Sequence, residues 1–187
     1  MKKYVIWASV LLLAVGCSSF QTATYEEEMA MPLKENGVDT LFYSISLEYV
    51  TGGLPKEACK QINDMLLTTA FGLEDAPGTV EESAIRYREN LIDEYLNENA
   101  VLENGVRTWE DRLGGAFQKK YKNYLNYLVS YYSFRGGAHG IQTLSNIVFD
   151  NKTGDVVREQ DLFTPGYLVF FPILYYSFYF LNYFHHS

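Results

Sequence analysis

The chain has 187 residues, a formal net charge of −8 at pH 7, and a composition that is 48% hydrophobic and 20% charged. This length fits one domain, and this composition excludes wholesale disorder, which requires low hydrophobicity and high net charge. An acidic chain without a basic stripe repels phosphate backbones, so we expect no nucleic-acid partner. A basic protein is the class of partner that the charge attracts.

Residues 1–16 have the pattern of a bacterial signal peptide. Two lysines precede an apolar run at 5–15, which is too short to span a bilayer core of ~20 residues. Small residues at 14–16 then lead directly to Cys17. This arrangement resembles the lipobox of bacterial lipoproteins, which implies that Cys17 becomes the first mature residue and carries the lipid. The alternative is an ordinary secreted protein with Cys17 inside its leader.

Two or more acyl chains make membrane attachment lasting. The leader therefore predicts a membrane-anchored lipoprotein of the bacterial cell envelope that faces outside the cytoplasm, with the outer membrane favoured. Residues 17–39 lack periodicity and contain an acidic run at Glu26–Glu28 and a proline at position 32. We expect them to form a flexible tether between the lipid and the domain, with the acidic run as a solvated spacer.

Clear secondary-structure signals begin at position 40. Residues 40–50 alternate between apolar and polar, which predicts a half-buried strand. Pro55 suits the first turn of a helix, and Gly72 is a natural stop for it. Thr79 and Glu82 have the spacing of a capping box, which predicts the start of a second helix.

The pattern turns to strands from about Ala116. Alternation predicts one strand around 124–132 and another at 141–149, followed by a turn at 150–154 and a return strand from Val156. The order is strand, helix, helix and then a meander of strands. This order predicts an α+β fold in which two or three helices pack on one face of an antiparallel sheet.

A ten-residue run at 131–140, Tyr-Tyr-Ser-Phe-Arg-Gly-Gly-Ala-His-Gly, precedes the last predicted strand, and Asp-Leu-Phe follows at 161–163. This combination resembles the extracellular domain of unknown function found in the anti-sigma factor RsiV and in the peptidoglycan deacetylase PdaC. The strand and helix at 40–72 are similar to the smaller PdaC-like segment that precedes it, so the resemblance covers 40–163. It implies an envelope location, an α+β ectodomain and, as in RsiV, lysozyme binding. It does not imply catalysis, because the deacetylase chemistry belongs to a separate domain.

Four residues of this run are candidates for ligand binding: Tyr131, Tyr132, Arg135 and His139. An imidazole after two glycines is easily presented to a ligand, and exposed aromatic rings stack on sugars or fill interface pockets. The alternative is that Gly136–Gly137 form a bend that His139 holds locally, and that the tyrosines only pack.

We expect no catalytic residue, cofactor or metal site. No second histidine or cysteine stands at ligand spacing to His139, and no phosphate loop or nucleophile elbow is present. Cys59 is expected to be a buried structural thiol. The carboxylate pairs of the chain are expected on solvated helix faces or turns, namely Glu81/Glu82, Asp93/Glu94 and Glu110/Asp111.

Residues 164–187 form an atypical tail, because nine of the 17 residues at 168–184 are aromatic and none is charged. We interpret this tail as the product of a frameshift or premature stop, with a membrane span or an aggregation-prone strand as alternatives. Three functions are consistent with the sequence. The first is a lipid-anchored, non-enzymatic binding module for a lysozyme-like protein or peptidoglycan. The second is an accessory fragment of a peptidoglycan-modifying enzyme, and the third is a membrane-spanning structural protein.

Overall fold

A computed structural model describes residues 5–11, 20–34, 39–73, 78–100 and 108–162. The elements in chain order are β1 (Val5–Leu11), β2 (Gln21–Pro32), β3 (Thr40–Gly52), α1 (Lys56–Phe71), α2 (Val80–Ala100), β4 (Trp109–Lys120), β5 (Tyr124–Phe134), β6 (Ile141–Asp150) and α3 (Glu159–Leu162). The described residues up to Val156 form one compact unit, and the described residues from Val157 on belong to another. In the second unit, the backbone N–H of Arg158 donates to Asp161 at 2.8 Å at the start of α3.

The six strands of the first unit form one sheet in the order β1-β2-β3-β4-β5-β6. Every neighbouring pair is antiparallel except β3 and β4. The predicted α+β class with helices on one face is confirmed. The sheet is antiparallel, as expected, except at β3–β4, where α1 and α2 together form the long crossover that a parallel pair requires.

One face of the sheet packs against α1 and α2, and we call it the covered face. Its buried side chains alternate along each strand, as in Leu41, Tyr43, Ile45 and Leu47 of β3. Fully burying one such aliphatic side chain contributes roughly 1.5–3 kcal/mol to folding. The opposite surface, which we call the open face, carries the residues that alternate with these. It includes Glu26, Glu28, Phe42, Ser44, Arg112, Tyr132 and Leu144.

The start and end of α1 and the start of α2 lie where the sequence predicts them. Helix α1 follows Pro55 and ends at Gly72, which takes the left-handed conformation at φ 63°. At the start of α2, the N–H of Thr79 donates to the Glu82 carboxylate at 2.9 Å, and the N–H of Glu82 donates to the Thr79 hydroxyl at 3.2 Å. The predicted capping box is therefore confirmed. Cys59 is half-buried, with its thiol 3.7 Å from the Leu54 carbonyl oxygen.

The flexible tether predicted for 17–39 is wrong over Gln21–Pro32, which is strand β2. Alternate residues of β2 are buried on the covered face: Ala23, Tyr25, Glu27, Met29 and Met31. The acidic run concealed this alternation, because Glu27 lies at a buried position between two exposed glutamates. The interpretation of Glu26–Glu28 as a solvated spacer is correspondingly wrong for Glu27.

Strand β4 begins at Trp109, earlier than the expected start at Ala116. Asp111 is therefore a buried strand residue and not part of a solvated carboxylate pair. By contrast, Glu81, Glu82, Asp93 and Glu94 are exposed on α2, as predicted.

The turn after β6 has the predicted form, since Gly154 has φ +84° and the Asp150 carboxylate accepts the N–H of Lys152 at 2.7 Å. The expected return strand is reduced to a single bridge between Phe149 and Val156. A side chain at Gly154 would lie 2.7 Å from the carbonyl oxygen of Ala58, so glycine lets this turn approach α1 closely.

Strand β1 lies within the predicted signal peptide and pairs antiparallel with β2. The signal peptide itself stays a prediction. Cys17 and the tail at 164–187 fall outside the described residues. Within the described residues, no helix has the length and apolarity needed to span a membrane.

Candidate functional site

The open face brings polar and aromatic side chains from five strands into one row. The strand register places Glu28, Ser44, Arg112, Tyr132 and Gln142 opposite one another in succession from β2 to β6. Neighbouring strands lie about 4.8 Å apart, so these side chains form a continuous line across the sheet. This row crosses the middle of the open face.

Two hollows lie on the open face and share Arg112. The first has a volume of about 660 Å³ and is lined by side chains that include Glu28, Phe42, Ser44 and Glu110. The second has a volume of about 520 Å³ and is lined by Gly114, Ser130, Tyr132 and Gln142, among others. Small residues leave room for these hollows, while Phe42, which is 46% exposed, forms an apolar wall.

Arg112 is held between the two hollows by its neighbours. Its Nε donates to the Glu110 carboxylate at 2.6 Å, and the two residues form an ion pair. Its guanidinium also lies 5.7 Å from the centre of the Tyr132 ring, within the range of a cation–π contact. Arg112 therefore presents a positioned, solvent-accessible planar cation.

Tyr132 is fixed from its other side by the loop between β5 and β6. A Cβ atom added at Gly140 would lie 2.5 Å from the Tyr132 ring, so the absence of a side chain there lets the ring rest against the backbone. A held aromatic ring beside a held guanidinium is the kind of anchor found in protein interfaces.

The carboxylate of Glu48 has a structural role at the end of the open face near Phe117. Glu48 accepts a hydrogen bond from the Thr22 hydroxyl at 2.6 Å and one from the N–H of Phe117 at 2.8 Å. The Phe117 N–H lies where the register between β4 and β5 shifts, so Glu48 satisfies a donor that the ladder leaves free.

Arg135 and Tyr131 lie on the other side of the sheet and bind Asp111. The guanidinium donates two hydrogen bonds to the Asp111 carboxylate, at 2.6 and 2.9 Å. The hydroxyls of Tyr131 and Tyr87 donate to the same carboxylate, at 3.3 and 3.2 Å. Asp111 is only 1% exposed, so this arrangement neutralises a buried charge.

Trp109 completes the surroundings of Arg135, because its ring centre lies 4.3 Å from the guanidinium carbon. Burial lowers the pKa of Arg135, but hydrogen bonds and the charge of Asp111 outweigh burial, and the net shift is upward. Burial also raises the pKa of Tyr87, helped by the negative charge of Asp111. Arg135 therefore stays a cation and Tyr87 stays neutral near neutral pH, which suits a structural role.

A second buried carboxylate lies further along the covered face. Glu27, also 1% exposed, pairs with Arg88 of α2 and accepts the Tyr25 hydroxyl at 2.7 Å. Burial, the hydrogen bond to Glu27 and its charge raise the pKa of Tyr25 well above the ordinary value. Each buried carboxylate thus binds one arginine and at least one tyrosine on the covered face.

His139 is exposed in the loop that joins β5 and β6. Its Nδ1 lies 3.4 Å from the carbonyl oxygen of the adjacent Gly140, and Gly136 has φ +78°. This geometry matches the alternative interpretation, in which the glycines form a bend and the imidazole contacts it locally.

Only Tyr132 of the four candidate residues lies on the open face. Sequence reasoning missed Glu28, Phe42, Glu110 and Arg112, because single polar or aromatic residues in alternating strands do not signal a surface until the register is known. Within the described residues, no group of three or more histidine, cysteine, aspartate or glutamate side chains could hold a metal ion.

No family model matches this sequence, and no curated protein matches it. Crystal structures with a similar fold include the following two. One is a member of the DUF3298 family from Bacteroides fragilis, with a TM-score of 0.70 and 18% identity, over 79% of this chain and 62% of that chain. The other is a DUF3298 family protein from Pseudomonas aeruginosa, with a TM-score of 0.56 and 20% identity, over 79% of this chain and 59% of that chain.

This chain therefore spans about three fifths of the length of each structure that it resembles. At these identities the likeness concerns the fold. It supports the expectation of a domain of unknown function, while the narrower RsiV and PdaC resemblance stays a prediction. The chain has the α+β fold seen in proteins of the DUF3298 family.

Proposed function

We propose that this chain is a lipid-anchored, non-enzymatic binding module of the bacterial cell envelope and that its ligand binds the open face. The observation that carries the proposal is the pair of hollows that meet at Arg112. The buried carboxylates of Asp111 and Glu27 are each neutralised within the fold by an arginine of their own. The open face, in contrast, has polar and aromatic groups that no helix of the described residues covers.

Of the two ligands considered, a lysozyme-like basic protein suits the open face better than peptidoglycan does. Glu26 and Glu28 are exposed there and make no ion pair within the described residues. The chain as a whole carries a net charge of −8. Opposite charge steers association and discriminates between partners, whereas an acidic polymer would be repelled.

Retention of lysozyme and of insoluble peptidoglycan by the full chain tests this proposal. We expect lysozyme to be retained, with an affinity that falls as salt is added. The double substitution Glu26→Lys and Glu28→Lys should weaken lysozyme binding about tenfold or more, since like charges across an interface oppose association. Glu57→Lys with Glu89→Lys is the matched control, because both glutamates are exposed on the helices.

Each other outcome points elsewhere. Retention of peptidoglycan alone would make the glycan the ligand, and retention of neither would contradict the binding proposal. Equal weakening by both double variants would mean that net charge, and not the open face, governs binding. The anchor is tested separately by mass spectrometry of the native protein, which should begin at Cys17 and carry acyl chains. A native protein that begins at Met1 without a fatty acid would contradict it.

A further inference from the structure

Among the residues that the structure describes, β6 is the last strand of the sheet, and its outer edge is largely unpaired. Its inner edge pairs with β5 along its whole length, from Ile141 opposite Ser133 to Asp150 opposite Tyr124. On the outer side, the strand assignments within the described residues give only the bridge from Phe149 to Val156. Alternate residues of 141–148 therefore direct outward backbone donors and acceptors that have no strand partner in the described part of the chain.

This edge lacks the features with which sheet proteins ordinarily block pairing with another chain. Residues 141–148, Ile-Gln-Thr-Leu-Ser-Asn-Ile-Val, contain no charge, proline or glycine. Their register with β5 has no bulge. Ile141 and Leu144 are 67% and 62% exposed, the two highest values among the large exposed hydrophobic residues. An edge that is long, regular, uncharged and apolar is a template for an added strand.

The sequence of this edge is also chemically symmetric about Leu144. Reading outward from Leu144, Thr143 matches Ser145, Gln142 matches Asn146, and Ile141 matches Ile147. Two antiparallel copies related by a twofold axis through Leu144 would place each residue opposite one of its own kind. Residues directly opposite in an antiparallel pair lie on the same face of the sheet and interact.

Other registers do not give this match. A twofold axis at Thr143 would place Ile141 opposite Ser145 and Gln142 opposite Leu144. An axis at Ser145 would place Leu144 opposite Asn146 and would require Phe149, whose edge already pairs with Val156. An axis between two residues would bring the covered face of one copy level with the open face of the other. The side-chain pattern therefore specifies one register.

We propose that the β6 edge is a dimerisation surface whose partner is a second copy of this chain, paired antiparallel about Leu144. Matched cross-strand pairs stabilise such a pairing, and the backbone ladder adds to them. An isologous pairing of this kind closes after two copies, so the expected assembly is a dimer and not a fibre. The sheets join edge to edge, which places the two open faces side by side on one surface.

A cysteine at the twofold position tests the register directly. Opposite residues in an antiparallel pair have Cα atoms about 4.5–5.5 Å apart, within the range that a disulfide needs. We expect the full chain with Leu144→Cys to form a covalent dimer on mild oxidation. The control is Ser46→Cys, exposed on the open face of the interior strand β3. It has the same two native cysteines and an intact β6 edge, and it should form little covalent dimer.

Sedimentation equilibrium tests the same edge without a cross-link. The wild-type chain should shift from one to two chain masses as its concentration rises. Leu144→Lys should abolish the shift, because two like charges would lie opposite each other at the axis. Phe42→Lys, at an exposed position on β3, should leave it unchanged.

A wild-type chain that stays monomeric at every concentration, or equal cross-linking of the two cysteine variants, would overturn the proposal. Circular dichroism of each variant separates loss of pairing from loss of folding. The ligand-binding measurements do not enter these readouts, so the dimer and the proposed function fail independently.

Discussion

The two faces of the sheet carry the same residue types in clusters with different roles. On the covered face, Asp111 binds Arg135 and two tyrosines and is excluded from water. On the open face, the adjacent Glu110 binds Arg112, whose guanidinium also contacts a tyrosine but is largely exposed. Acid, arginine and tyrosine thus occur together twice, one residue out of phase along β4.

The two clusters differ in the free-energy cost of losing or exchanging a partner. Removing a partner from a buried ion pair leaves an uncompensated charge in a medium of low polarity, so the covered cluster is costly to disturb. An exposed pair contributes about 0–1 kcal/mol and exchanges its partners with water or a ligand at little cost. The open face can therefore change its contacts at little cost to stability, and the covered face maintains the fold.

Alkaline pH should produce the largest effect, because buried tyrosines crowd the covered face. Burial and the charge of Glu27 raise the pKa of Tyr43, and burial and the charge of Glu48 raise that of Tyr127. Below about pH 10, the ordinary pKa of tyrosine, both folded and unfolded chains hold these protons. Above it the unfolded chain loses protons first, so the free energy of unfolding should fall as pH rises toward the folded-state pKa.

Urea unfolding at pH 8, 10 and 11 measures this decline. Tyr43→Phe should flatten it, because the Tyr43 hydroxyl has no hydrogen-bond partner within the described residues and its removal leaves the packing in place. The same slope in wild type and variant would mean that this tyrosine does not contribute. Constant stability up to pH 11 would contradict the expectation as a whole.

Replacing the two neighbouring carboxylates compares the faces directly. Asp111→Ala should reduce the free energy of unfolding by roughly 3 kcal/mol, because the Arg135 guanidinium and two hydroxyls lose their acceptor. Glu110→Ala should change it by about 0.5 kcal/mol or less, since its ion pair is exposed. Urea denaturation measures both, and equal losses would mean that the covered cluster has no special weight.

The sequence predicted those elements whose buried positions are apolar. Strand β3, both long helices and the capping box at Thr79 follow the expected periodicity. Strands β2 and β4 were missed or shortened because Glu27 and Asp111 occupy buried positions and interrupt the alternation. Their partners Arg88 and Arg135 are distant in the chain, so no local pattern could reveal that these charges are neutralised.

The same limit applies to the candidate site. The run at 131–140 drew attention to Arg135 and Tyr131, but the odd and even residues of a strand point to opposite faces. Tyr131 consequently joins the Asp111 cluster and Tyr132 the open face. Arg112 and Phe42 become part of a site only through the parallel β3–β4 register, which depends on how the two helices cross over the sheet.

The smallest expected difference concerns two adjacent glycines of β4, one on each face. A Cβ at Gly115 would clash with the Tyr127 hydroxyl and lie 2.6 Å from Leu47, both buried on the covered face. Because this hydroxyl donates to the Glu48 carbonyl oxygen at 2.8 Å, it cannot move without losing that bond. Gly115→Ala should therefore reduce the free energy of unfolding by about 1–3 kcal/mol, as overpacking does.

A Cβ at Gly114 would meet only the Ser130 hydroxyl closely, at 2.7 Å. Because that hydroxyl can rotate away, Gly114→Ala should reduce the free energy of unfolding by less than about 1 kcal/mol. Thermal and urea unfolding of the two variants measure this contrast, and a larger loss for Gly114→Ala would show that the open face is packed more tightly than its hollows indicate.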